Sequence, residues 1–211
     1  MTTTTPPPFT FPPEYNFPPF FTPQPNTTTH HAQLSKWSSL LLAYTRHHRI
    51  FRLSLIDLDT PLFHNKAIDR RLSAKDVKDL ALFMQKDGRV EFVAGGGDVV
   101  FVYWKTLEEW AQVVEAWVDE TGQKGAVLTV YELTQGDATR GTGKFCCSSY
   151  TLHSHTLPHA ESISGRIKAY QNLSELHGLD TEILLKALNI LVKRGKAQIF
   201  GQEESQGVKF F

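Results

Sequence analysis

Cysteine is almost missing from this 211-residue chain: the two present, Cys146 and Cys147, are neighbours and cannot staple distant segments together. That usage fits a reducing compartment. No apolar run approaches the ~20 residues that a membrane span needs, and the N-terminus, Met-Thr-Thr-Thr-Thr-Pro-Pro-Pro, has neither the basic start nor the apolar core of a secretion signal. Charge of one sign is not in excess either. Lys plus Arg number 22 and Asp plus Glu number 22, so no broad field draws the chain to phosphates or acidic lipid. The G-x-S-x-G elbow, the P-loop, the dinucleotide fingerprint and H-E-x-x-H are all absent. A soluble, cytosolic or nuclear protein is expected, without catalytic residues, cofactor or direct membrane insertion.

Proline is concentrated instead of scarce at one end. Residues 1–29 hold most of the prolines and several aromatics, with no helical or alternating period. Pro12-Pro13-Glu14-Tyr15 is a P-P-x-Y element, and Pro18-Pro19-Phe20-Phe21, preceded by Phe17, is a P-P-x-aromatic variant six residues later. Proline fixes φ and biases its predecessor to extended backbone, so this arm is expected to be extended and unpacked. Pre-extension lowers the entropy lost on docking, and the aromatics supply anchors. Pro12, Pro13, Tyr15, Phe17, Pro18, Pro19, Phe20 and Phe21 are the candidate partner-binding residues. A WW-domain ligand is the alternative reading of the same stretch.

Beyond the arm the pattern becomes periodic. Leu34, Trp37, Leu41 and Tyr44 fall on one helical face. A strand is expected over 50–58, a link from Pro61, a helix capped by Ser73 and stopped at Gly88, and a hairpin over Val90–Val93 and Val99–Tyr103. The same order recurs: a helix with Leu107, Trp110, Val114 and Trp117 on one face, a strand over Ala126–Tyr131, a helix from Asp180 and a second hairpin. Leu72 stands 16 residues before Gly88, as Leu179 does before Gly195. Helix, strand, helix and two-stranded wing describe a winged helix. The expected fold class is therefore α+β, with two tandem winged-helix domains over 30–104 and 105–211 behind the arm at 1–29.

Trp37 to Leu72 spans 35 residues and Trp110 to Leu179 spans 69, so the second repeat carries 34 extra residues. They fall at about 135–169, read as a disordered and dispensable loop. Cys146, Cys147, His153, His155 and His159 lie there, but only His155 and His159 have a zinc-like spacing, and a polar loop is favoured over a metal site. Winged helices often read DNA. Here the two candidate helices set Lys75, Lys78 and Lys86 against Asp76, Asp79 and Asp87, and Lys186, Lys193 and Arg194 against Asp180 and Glu182. Such near-neutral faces make a DNA-binding regulator the alternative, not the expectation.

The stretches Phe17–Asn26, Thr60–Phe63, Glu108-Glu109-Trp110 with Trp104, Tyr131–Thr134, His177–Asp180 and Gly207–Phe211 resemble the vacuolar protein sorting-associated protein 25 family, the smallest subunit of the ESCRT-II endosomal sorting complex. The second arm motif ends in Phe20-Phe21 where some members have tyrosine, and the extra 34 residues depart from the family. The resemblance implies a non-catalytic subunit present twice in a Y-shaped complex, docking on two larger subunits through its arm and first domain. It further implies that the second domain recruits the initiating ESCRT-III subunit as ubiquitinated cargo enters multivesicular bodies, at endosomal membranes reached through the complex.

Overall fold

The computed structural model describes residues 8–93, 97–136, 176–201 and 206–211. They form two compact units, Met1–Thr106 and Leu107–Phe211.

In the first unit, helix α1 (Thr27–His48) begins where the Asn26 side chain accepts the amides of Thr28 and Thr29 at 2.9 and 3.2 Å. Such a cap contributes about 1 kcal/mol. Threonines are poor helix formers, which is why apolar spacing alone starts the helix only near Gln33. The expected arm, ending at residue 29, therefore runs into α1. The helix buries Trp37, Leu40, Leu41 and Tyr44 and stops at Arg49, a non-glycine residue in the left-handed region with φ 54°.

Strand β1 (Arg52–Ser54) is shorter than the expected 50–58, although Phe51, Leu53 and Leu55 are all buried. The link that follows contains a small antiparallel pair, β2 (His64–Asn65) with β3 (Arg70–Arg71), and the fully buried Leu62 and Phe63. Helix α2 (Ala74–Lys86) has Ser73 as its N-cap, accepting the Asp76 amide, and ends before Gly88 at φ 66°. Strands β4 (Val90–Phe92) and β5 (Val99–Val102) form the wing, and the sheet order is β1-β5-β4, antiparallel throughout.

The second unit repeats the plan. Helix α3 (Leu107–Thr121) packs on the last helix, α5 (Thr181–Lys193). Asp180 caps α5 through the Glu182 amide, and Gly195 follows it at φ 71°. Strands β6 (Val127–Thr129), β7 (Ala197–Phe200) and β8 (Gly207–Phe210) have the order β6-β8-β7. Each unit thus places its last strand in the centre.

One expected element is wrong in kind. The strand read over Ala126–Tyr131 ends at Thr129, and helix α4 (Val130–Gln135) begins there. Thr129 accepts the Glu132 amide while Glu132 accepts the Thr129 amide at 2.7 Å. This reciprocal box satisfies two first-turn donors and outweighs the β-branched run that suggests a strand. The expected loop at about 135–169, with Cys146, Cys147, His153, His155 and His159, lies almost wholly outside the described residues.

Candidate docking site

The arm is not extended and unpacked. It folds into two 3-10 turns, Pro13–Asn16 and Pro18–Phe21, each with proline in its first positions. A proline there costs nothing, because its missing amide would have had no partner and its φ already suits the turn. Tyr15 donates its amide to the Pro12 carbonyl at 3.0 Å, and Phe20 to that of Phe17 at 2.9 Å. Side chains decide the rest. Burying large aromatics returns more free energy than an extended chain in water can offer.

The three aromatics at the ends of the two motifs point inward. Tyr15, Phe20 and Phe21 are buried in the core of the first unit. Phe20 stacks on Trp37 with ring centres 4.5 Å apart and planes 9° apart, while Phe21 meets the same indole edge-on at 5.3 Å. Phe11 stacks on Tyr15 at 4.1 Å. Polar contacts then fix the backbone: the Trp37 indole donates to the Phe20 carbonyl at 2.9 Å, and Gln33 Nε2 reaches the Phe20 and Thr22 carbonyls at 2.7 and 2.9 Å. Lys36 pairs with Glu14 at 2.9 Å on the surface, a contact of little energetic consequence.

Two contacts come from the link after β1. The Tyr15 hydroxyl donates to the Pro61 carbonyl, and Asn65 Nδ2 donates to the Tyr15 carbonyl at 2.8 Å. Burial pushes the Tyr15 hydroxyl up to about 12, so near neutral pH it stays protonated and able to donate.

The eight candidate residues therefore divide by exposure. Tyr15, Phe20 and Phe21 are buried in the first unit's core, whereas Phe17 is 59% exposed and Pro13, Pro18 and Pro19 are exposed, with Pro12 half-buried. Phe17, between the two turns, and Pro18-Pro19, which open the second, form one exposed knob. An open groove of about 640 Å³ runs between the arm, at Phe9, Phe11 and Pro12, and the Lys36, Ser39 and Ala43 side of α1. A large exposed aromatic on a backbone held at both ends is suited to filling a partner's pocket with little ordering entropy. Trp37 is legible from the helical spacing, but Pro61 and Asn65 carry no signal in the sequence that marks them as receptors for the arm.

Among the described residues no group of three or more His, Cys, Asp and Glu side chains could hold a metal ion, and no helix is long and apolar enough to cross a membrane.

A family model described as ESCRT-II complex subunit matches residues 14–146. The chain is 36% identical to the vacuolar protein-sorting-associated protein 25 of Xenopus laevis, over 91% of this chain and 92% of the relative. It is 31% identical to that of Dictyostelium discoideum, over 96% of each. Among solved structures it is similar to subunit VPS25 of the endosomal trafficking complex ESCRT-II, with a TM-score of 0.71 and 23% identity over 95% of this chain and 98% of that one. The crystal structure of endosomal complex ESCRT-II (VPS22/VPS25/VPS36) contains a similar chain, with a TM-score of 0.70 and 24% identity over 94% and 98%.

Proposed function

Because the chain belongs to the ESCRT-II complex subunit family, we propose that it is a non-catalytic adaptor that docks on the two larger subunits of that complex through its arm and first unit. The observation that carries this reading is the exposed Phe17-Pro18-Pro19 knob, flanked by the buried Tyr15 on one side and by Phe20 and Phe21, packed on Trp37, on the other. In this reading Phe17, Pro18 and Pro19 touch the partner, with Pro12 and Pro13 at the rim, while Tyr15, Phe20 and Phe21 hold the knob in shape. Two copies enter each complex. The second unit recruits the initiating ESCRT-III subunit in the sorting of ubiquitinated cargo into multivesicular bodies, and the chain reaches endosomal membranes from the cytoplasm through its partners.

The test is co-purification of tagged larger subunits with the wild-type chain and with Phe17→Ala. Loss of the complex with an unchanged melting temperature supports docking through the knob. An intact complex refutes it. A matching pull-down with the initiating ESCRT-III subunit, using chains altered at Tyr131 or Val127, two large exposed apolar residues of the second unit, tests the recruiting role.

A further inference from the structure

Four polar residues are buried among the described residues: Ser38, Thr45, Asn65 and Thr134. Thr45 and Thr134 bond back to carbonyls of their own helices. Asn65, 5% exposed, behaves differently, because its amide reaches 50 residues back along the chain to the Tyr15 carbonyl at 2.8 Å. Nδ2 also lies 3.3 Å from Asn16 Oδ1, and Oδ1 accepts the Ala67 amide at 3.0 Å. The orientation of the group is fixed by these partners, since an amide N–H must donate and a backbone carbonyl must accept. With the Tyr15 hydroxyl on the Pro61 carbonyl, both polar ends of Tyr15 are held by one short segment, Pro61–Asn65.

A WW domain reads proline-rich ligands as an extended polyproline helix, with the following aromatic laid into its groove. Here Pro13–Asn16 is a 3-10 turn and Tyr15 is 5% exposed. One backbone cannot be both shapes at once, and a buried tyrosine cannot fill a second pocket. We propose that Asn65 is the positioning residue that decides which class of partner the Pro12-Pro13-Glu14-Tyr15 motif serves: held by Asn65 it supports the docking knob, and released from Asn65 it is a WW-domain ligand. The docking half of this assignment rests on the function proposed above; the WW half does not. Removing the Asn65 donors leaves the Tyr15 carbonyl buried without a partner, which favours the released arm.

The experiment uses the full-length chain, its Asn65→Asp and Asn65→Leu variants, and a free peptide of residues 9–17. Asn65→Asp keeps the side-chain shape, loses both donors and turns a carboxylate toward the Tyr15 carbonyl. Asn65→Leu is its neutral counterpart. Binding of each to an isolated WW domain of the P-P-x-Y-reading class is followed by fluorescence anisotropy, and amide exchange is followed at Tyr15 and Phe17. The peptide should bind at least ten-fold more tightly than the wild-type chain, with Asn65→Asp between the two. Adding Tyr15→Ala to Asn65→Asp should abolish binding. Exchange at Tyr15 and Phe17 should quicken ten-fold or more in both Asn65 variants while the amides of α2 stay protected, which separates arm release from unfolding. If a variant loses α2 protection, the comparison of peptide with wild-type chain still decides whether the fold withholds the motif. Wild-type chain binding as tightly as the peptide, a peptide that does not bind, or unchanged exchange in two folded variants overturns the assignment. If exchange and WW binding change as stated but co-purification with the larger subunits does not, the docking reading fails and the role of Asn65 in withholding the motif stands.

Discussion

The two units share a plan and differ in what fills one interval of it. Both put the last strand in the middle of a three-stranded sheet, and both carry a 13-residue helix, capped by Ser73 or Asp180 and followed by Gly88 or Gly195 at positive φ. Between the first strand and that helix they part. The second unit has α4, closed on itself by the Thr129–Glu132 box. The first has Pro61, Leu62, Phe63 and Asn65, two of them core residues and two of them holding a segment from the far N-terminus. What repeats is what any winged helix needs to close. What does not repeat is where the first unit has acquired an arm, and with it a surface of its own.

The most severe way to break this contrast is to remove the arm's own anchors. Phe20→Ala empties the space over Trp37 and Tyr15→Ala the space beside Phe11 and Phe21, and truncating a buried phenylalanine costs about 3–5 kcal/mol. The first unit should lose most of its stability, and complex formation should fall by well over ten-fold. Amide exchange should show α5 and β8 still protected; their loss alongside α2 would mean that the repeats do not fold separately. Phe17→Ala sharpens the comparison from the other side. It should move stability by no more than about 0.5 kcal/mol, as exposed positions do, yet weaken assembly by about 2 kcal/mol, roughly 30-fold, as read by titration calorimetry.

Alkali offers a third test. The Tyr15 hydroxyl titrates at about 12 in the folded chain against an ordinary 10, so folding favours its neutral form. Its contribution is complete below pH 10 and is lost as pH rises from 10 toward 12. Denaturant midpoints of the first unit should fall across that window, and the Tyr15→Phe chain should lack this component of the fall. The smallest effect belongs to the second unit. Thr129→Ala removes one cap, worth about 1 kcal/mol, and should lower the second unit's midpoint while leaving co-purification with the larger subunits unchanged.

Legibility in the sequence followed the range of the interactions. Ser73, Asp180, Gly88 and Gly195 act within a few residues of themselves, so α2 and α5 are found where local signals put them. Thr129 and Glu132 are equally local, but they sit in or beside an apolar, β-branched run that suggests a strand through Tyr131. The arm fails for a different reason. Its prolines speak for extended backbone, while the contacts that fold it come from Trp37, Pro61 and Asn65, at separations of 17, 46 and 50 residues. A motif scan marks the eight arm residues as a unit, and only the tertiary fold divides them into those that face inward and those that face out.

Those separations also order events during synthesis. The arm leaves the ribosome first, but the carbonyl and amide that hold Tyr15 follow 46 and 50 residues later. At ~5–20 residues per second, translation takes about 2.5–10 s to supply them. Throughout that interval Pro12-Pro13-Glu14-Tyr15 lacks both hydrogen bonds that hold Tyr15 to the link. A nascent polypeptide therefore displays a proline-tyrosine motif that the finished one conceals, and its accessibility becomes a clock for how much of the first unit has been made.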